Sequence, residues 1–459
     1  MEILRIQIEK ILNDFEKYNL GIKFDPSIKQ AYLKYLGIGL LNSKEFLKIH
    51  DDFNQNKLKK YYFFKDCEIY LLTKIFCKKN KINSKLYNFK FINYFFLFLN
   101  LSKIILKIYF IKFYKYEETK NKYFFYFEDL KNYNQVNYSK IIKPRTINID
   151  KKYLFNKSNF TFLDLLKILF KNKSKVRLFE LNLKALIYFK ALKKLKPKII
   201  FFVEGDSPDQ DLISNLTAQI NYKTCCFQWG SITGKNIKYG FKNMSHDYFF
   251  TWSDYYSKIF KKFNKKTKFI INGNPLIKNI RPKNKILCLI HPNTVFIDKS
   301  EDFELNNLIS ILTKKFKKRV ILRYHAASKN KKLDNIITHN QNNTRLIKSL
   351  GMSFCAIAVK SSAIIEASSL GIIPLILKKD SKSLGSEFDQ LKNIKNNSFI
   401  FNNQSDVLKF LKKIINNIKF RKTISKKLKR KFLFLIKYNG STSIKITNYN
   451  IQNIIKSIK

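Results

Sequence analysis

Lys198-Ile199-Ile200-Phe201-Phe202-Val203-Glu204-Gly205-Asp206-Ser207-Pro208-Asp209 passes from an unbroken apolar run, through a polar turn, into the start of a helix. An apolar run of this length, bounded by a turn and followed by an amphipathic stretch, reads as a strand buried on both faces and then a covering helix. The helix is expected from about Asp209 to Ile220. The same pattern recurs on either side. Strands are expected at Thr224–Gln228, Asp247–Trp252 and Lys268–Asn272, and the series ends at Gly273-Asn274-Pro275. Lys278 to Lys285 has the composition of a linker, after which the alternation restarts. Strands are expected at Ile286–Ile290, Val320–Tyr324, Cys355–Val359, Ile372–Leu377 and Ser398–Phe401. Helices lie between them near Leu305–Phe316, Thr344–Leu350, Ser362–Leu370 and Ser405–Ile418. Strand–helix alternation on this scale implies parallel sheets. The fold class expected is α/β, with two Rossmann-like domains facing a central cleft.

The domain boundaries follow. Residues 1–120 read as a mainly helical N-terminal region, 121–277 and 284–420 as the two Rossmann-like domains, and 421–459 as C-terminal helices. Phe91 to Ser102 is the longest apolar stretch without a charge, and it is well short of the ~20 residues that span a bilayer. It continues into Lys103, Lys107 and Lys112 interleaved with aromatic residues, a pattern suited either to the membrane interface or to a buried helix with a solvated basic edge.

A length of 459 residues sets a prior of two or three domains, and a 45% hydrophobic content suffices for real cores. The formal net charge of +56 comes almost wholly from lysine. Nucleic-acid readers favour arginine for bidentate contacts, and no recognition-helix, RNP-like or zinc-finger pattern occurs, so no nucleic-acid partner is expected. An anionic membrane surface is the partner that this charge allows. Cys67, Cys77, Cys225, Cys226, Cys288 and Cys355 form no CxxC pair and lie away from histidines at metal spacing. They read as buried thiols in a reducing compartment, which with the polar N-terminus leads to a cytoplasmic expectation.

In open α/β sheets, ligands sit at the carboxyl ends of the strands. Five such places carry candidate chemistry. Glu204 and Asp206 end the quoted strand, where a carboxylate is suited to take a proton from an acceptor hydroxyl; Glu204 is preferred. Gln228, Trp229 and Gly230 follow the next strand and could line an acceptor pocket. His291 ends the first strand beyond the linker. Arg323, His325, Ser328 and Lys329 form a basic strand end that could neutralise a departing phosphate. Ser361 and Ser362 begin a helix, where hydroxyls and free N–H groups can bind phosphate, and Glu366 one turn on could accept hydrogen bonds from a ribose. Each has an alternative reading in capping or plain loop structure. No D-x-D arrangement of the kind that holds a divalent metal against a nucleotide sugar is read here, and no P-loop, GxGxxG or GxSxG occurs, so neither a metal nor a cofactor is expected.

On these residues the chain resembles GT-B glycosyltransferases, in particular bacterial groups that use CMP-activated sugars. Those families carry an acidic motif with glycine, a His-Pro motif and a paired Ser/Thr motif at a helix start. Glu204-Gly205-Asp206, His325-Ala326 and Ser361-Ser362 stand in that order here, and Glu204 also looks like the catalytic glutamate of Kdo transferases. The resemblance covers about 195 to 395. It implies an inverting, metal-independent sugar transfer from a nucleotide-sugar donor to a glycan or glycolipid acceptor of capsule or lipopolysaccharide, at the inner face of a bacterial membrane. Two other readings stay open. One is a polyol-phosphate transferase resembling the CDP-glycerol enzymes; the other is a non-catalytic, membrane- or polyanion-binding protein on the same shell.

Overall fold

A computed structural model describes residues 7–8, 10–12, 26–54, 60–63, 67–82, 85–88, 122–127, 133–143, 145–159, 161, 163–164, 168, 176–205, 207–230, 241, 244–277, 280, 283–290, 299–316, 319–324, 336–340, 346–359, 361, 363–378 and 398–458. The N-terminal region contains α1 (Pro26–Asn42), α2 (Lys44–Asn54), β1 (Lys60–Phe63), α3 (Cys67–Lys79) and β2 (Lys85–Asn88). Its described part is mainly helical, as expected, but β1 and β2 add a short parallel pair that the pattern does not announce. Lys103, Lys107 and Lys112 lie outside the described residues.

The first large sheet is built from β3 (Tyr123–Tyr126), β4 (Ile147–Ile149), β5 (Ile199–Val203), β6 (Lys223–Phe227), β7 (Tyr248–Thr251) and β8 (Lys268–Ile271). Its order is β4-β3-β5-β6-β7-β8, and every pairing is parallel. All five residues of β5 are buried. Covering such side chains on both faces contributes roughly 1.5–3 kcal/mol each, which is why this strand is written as a continuous apolar run. Around the sheet lie α4 (Tyr133–Ile141), α5 (Lys151–Lys157), α6 (Val176–Leu195), α7 (Pro208–Gln219) and α8 (Asp254–Lys261).

The second sheet is built from β9 (Lys285–Ile290), β10 (Val320–Tyr324), β11 (Ile337–Asn340), β12 (Ser353–Ala358), β13 (Ile373–Leu377) and β14 (Ile400–Phe401), in the order β11-β10-β9-β12-β13-β14. It too is parallel throughout. Its helices are α9 (Lys299–Phe316), α10 (Leu346–Gly351), α11 (Ala363–Ser369), α12 (Gln404–Asn416) and α13 (Ile418–Phe432). The winding direction reverses between β3 and β5 in the first sheet and between β9 and β12 in the second, and such reversals open the crevices that take ligands. This is the two-domain α/β arrangement that the strand pattern leads one to expect and that the resemblance to GT-B enzymes implies.

The chain crosses between the sheets a second time after α13. Residues 433–439 lead back to α14 (Gly440–Ser457), whose Ile451 and Ile454 join Phe125, Ile199 and Phe250 in the core of the first sheet. The crossing is pinned at β8: Asn274 N–H donates to Tyr438 C=O at 2.8 Å, Gly440 N–H donates to Asn274 C=O at 3.3 Å, and Lys437 N–H donates to Trp252 C=O at 3.0 Å. Gly273, at φ +75°, lets the two backbones touch; a Cβ there would lie 2.0 Å from the Tyr438 carbonyl oxygen.

Gly273→Ala should therefore destabilise the protein by about 2–4 kcal/mol, since it adds left-handed strain to a backbone clash. Chemical denaturation checks this, and an unchanged midpoint would mean that the crossing is looser than described.

Candidate functional site

The quoted strand delivers Glu204 to the reversal point of the first sheet, directly after β5. Its backbone is strained: Glu204 has φ 97°, and Gly205 follows at φ 89°. A non-glycine residue in that region costs on the order of 1–3 kcal/mol and persists only where the surroundings over-determine it. They do so here. The buried Gln210 side chain, from α7, accepts from Gly205 N–H at 3.2 Å and donates to Val203 C=O at 2.8 Å. Glu204 N–H donates to Phe227 C=O at 2.9 Å. Gly205 has no room for a side chain, because a Cβ would meet the Phe249 ring at 2.6 Å. Glu204 itself stays partly exposed.

Asp209 and Asp211, further along the segment, are held in ion pairs. Asp209 pairs with Lys151 at 2.6 Å and Lys184 at 3.0 Å. Burial pushes its carboxyl up, but the two lysines outweigh burial and hold it below its ordinary range. Asp211 forms a buried ion pair with Lys34 of α1. Ser207 is the N-cap of α7 but makes no side-chain capping bond, and Pro208 takes the first helical position. Asp206 lies outside the described residues.

At the end of β6, Gln228 is fully buried and both ends of its amide are hydrogen-bonded. Nε2 donates to Gly230 C=O at 2.9 Å, and Oε1 accepts from Trp252 N–H at 3.0 Å. Its main-chain carbonyl accepts from both Tyr138 Oη and Trp252 Nε1, each at 3.1 Å. These bonds turn the Gln228 amide inward and hold the β6 and β7 ends together. Trp229 and Gly230 remain partly exposed at that edge. Tyr138 and Trp252 are the residues that the sequence pattern missed. Trp252 stood at the end of an expected strand, but nothing in its neighbourhood signals a shared carbonyl.

On the second sheet, β10 delivers Arg323, which is buried, with Nη1 3.4 Å from Ser349 Oγ. Ser361 follows β12 at the reversal point and caps α11, its Oγ accepting from Ala363 N–H at 3.3 Å. That contact occupies a lone pair and leaves the hydroxyl proton free to be donated. Glu366 sits one turn along α11 and is partly exposed. Burial pushes its carboxyl up to about 8, with Arg323 pulling the opposite way. Burial also lowers Arg323 to about 10, with Glu366 opposing. His291, His325, Ser328, Lys329 and Ser362 lie outside the described residues.

The Tyr138 hydroxyl, on the α4 helix that follows β3, is raised chiefly by burial; Trp252 opposes this and Glu366 of the second sheet adds to it. Among the described residues no group of His, Cys, Asp or Glu could hold a metal ion, and no helix is long and apolar enough to cross a membrane.

No family model matches the chain, and no curated protein does. Solved structures do resemble it. UDP-GlcNAc 2-epimerase from Neisseria meningitidis, bound to UDP-GlcNAc, is 12% identical, with a TM-score of 0.42 over 73% of this chain and 99% of its own. The wall teichoic acid polymerase TagF is 12% identical, with a TM-score of 0.44 over 80% of this chain and 98% of its own. The spinosyn forosaminyltransferase SpnP is 10% identical, with a TM-score of 0.37 over 74% of this chain and all of its own. At these identities and scores the activity has to be argued from the chain's own residues.

Glu366 gives a signed prediction. Its carboxyl rises from an ordinary 4.5 to about 8 on folding, so the folded chain holds the proton more tightly. The stability that this proton confers is complete below the unfolded value and is lost as pH climbs through the folded one. Melting temperatures recorded across that interval should fall more steeply for the wild type than for Glu366→Gln. Parallel curves would show that the carboxylate is already ionised at neutral pH.

Proposed function

We propose that the chain is a glycosyltransferase, moving a sugar from a nucleotide-sugar donor to a glycan or glycolipid acceptor. The observation that carries this reading is the strained Glu204 at the reversal point of one sheet, with Ser361 and Glu366 following the strand at the reversal point of the other. A carboxylate on one wall and a polar, cationic group on the other is what transfer between an alcohol and an activated sugar requires. Glu204 acts as general base: it takes the proton of the acceptor hydroxyl as that oxygen bonds to the anomeric carbon. The bond from that carbon to the phosphate oxygen breaks, and its electron pair leaves with the nucleotide.

The donor's phosphate is received by the second sheet. There Ser361 donates its hydroxyl proton, and Ser362, His291, His325, Ser328 and Lys329 are the further proposed contacts. Arg323 supports this wall through its attraction to Glu366. Glu366 holds a ribose hydroxyl, to which a protonated carboxyl can donate as well as accept. Trp229 and Gly230 border the acceptor, and Asp206 is the alternative base. A CMP-sugar is the donor we favour, and the transfer is proposed to be inverting and metal-independent. Closing the cleft on the donor would exclude water that would otherwise hydrolyse it. The domains proposed are those of residues 121–277 for the acceptor and 284–420 for the donor, with the reaction at the inner face of a membrane.

Glu204→Gln keeps the size and hydrogen bonding of the side chain but cannot take the proton. Transfer should drop by about 100-fold or more, as loss of a general base does, while nucleotide binding measured by calorimetry stays unchanged. Full turnover by the variant would move the base to another residue. Mass spectrometry of the product adds a second check: a phosphodiester in place of a glycosidic bond would replace sugar transfer by polyol-phosphate transfer.

A further inference from the structure

The helix α13, Ile418–Phe432, differs in charge from the rest of the molecule. Its sequence IKFRKTISKKLKRKF holds eight basic residues in fifteen and no acid. Across the whole chain 89 of 459 residues are Lys or Arg, about one in five, so α13 exceeds even this basic background. Its buried side is Ile424, Leu428 and Phe432. The opposite side carries Lys419, Lys422, Lys426, Lys429 and Arg430 at three- and four-residue spacing, all exposed. Among the described residues none of these five makes an ion pair.

Two further features separate a lipid surface from a soluble polyanion as the partner. Leu433 and Phe434 follow directly at the helix end and are 47% and 39% exposed, and Ile418 at the other end is 53% exposed. A soluble polyanion has no use for bare apolar side chains beside the cations, whereas a membrane takes cations at its headgroups and apolar groups just beneath them. The location also fits. Phe434 packs edge-on against Tyr255 of α8 at 5.4 Å, and α8 starts at the carboxyl end of β7. The end of α13 therefore lies beside the edge of the first sheet that carries Glu204 and Trp229.

We propose that the exposed face of α13, together with Leu433 and Phe434, docks this protein on an anionic phospholipid surface. The proposal stands on charge and exposure alone and does not depend on the transferase reading. The full-length protein is co-sedimented with vesicles of phosphatidylglycerol mixed with phosphatidylcholine, and with pure phosphatidylcholine. Each basic residue near an anionic surface contributes about fivefold to partitioning, so joint replacement Lys422→Glu, Lys426→Glu and Arg430→Glu should cost at least about a hundredfold on the anionic vesicles. The matched triple Lys193→Glu, Lys194→Glu and Lys196→Glu, at the far end of α6, should cost less than about a tenth of that loss. Leu433→Gln should weaken vesicle binding by about fivefold while leaving binding to heparin unchanged.

Equal losses in the two triples would overturn the proposal, since overall charge alone would then explain binding. So would unchanged vesicle binding by Leu433→Gln, which would point to a soluble polyanion. Where the glutamate triple does not fold, as judged by circular dichroism, the glutamine triple is read by the same criteria.

Discussion

The backbone contact between Asn274 and the Tyr438–Gly440 turn is the constraint on which the rest of the molecule depends. Each parallel sheet could form a core by itself, but a cleft requires the two carboxyl edges to be held opposite each other. The crossing segment does this by tying the end of β8 to the start of α14 with paired main-chain hydrogen bonds, and by sending α14 into the first sheet's core. Further bonds lock the joint from inside: Asn272 Nδ2 donates to Thr447 Oγ1 at 3.0 Å, and Ser443 Oγ donates to Asn272 C=O at 2.5 Å. Buried polar contacts of this kind allow one arrangement and penalise others, because a shifted helix would strand each partner without water.

Within that frame the two edges have different electrical characters. On the first sheet, the acids after β5 are sorted by lysines: Lys34, Lys151 and Lys184 bind Asp211 and Asp209 in the layer between the sheet and the N-terminal helices. Glu204 stands on a positive-φ turn that Gln210 holds from both sides. On the second sheet, burial pulls Arg323 down and pushes Glu366 up, while each opposes the shift of the other. A group that needs either a proton or a partner is suited to meeting a ligand that brings its own hydroxyls and charge.

Much of the fold was legible because the central strands are buried on both faces. β5, β6, β9, β10, β12 and β13 appear as apolar runs, and their expected and observed limits differ by a residue or two. The strands that escaped are at edges or are short: Ile147–Ile149, Ile337–Asn340 and the β1–β2 pair carry polar residues and no unbroken run. Tyr123–Tyr126 is buried but lies just after a lysine-rich aromatic stretch that blurs its limits. For the site, residue type and place after a strand pointed to Glu204, Ser361 and Glu366. They could not reveal Gln210, Tyr138 or Trp252, whose importance arises from contacts between elements far apart in the chain. Nor could they show that Tyr138 and Trp252 both donate to Gln228 inside the protein.

The most direct test of the account is whether the second sheet binds a nucleotide. Thermal denaturation of the purified protein is followed with CMP, CDP, UMP, UDP and GDP, for the wild type and for Glu366→Ala. A nucleotide that binds only the folded state at about a hundredfold excess over its Kd adds about 2.7 kcal/mol, which raises the Tm of a chain this long by roughly 3 °C. The account predicts such a shift for at least one of the five, CMP first among them, and its loss in the variant. If no nucleotide shifts the wild type, or the shift survives in Glu366→Ala undiminished, the proposed donor wall is contradicted.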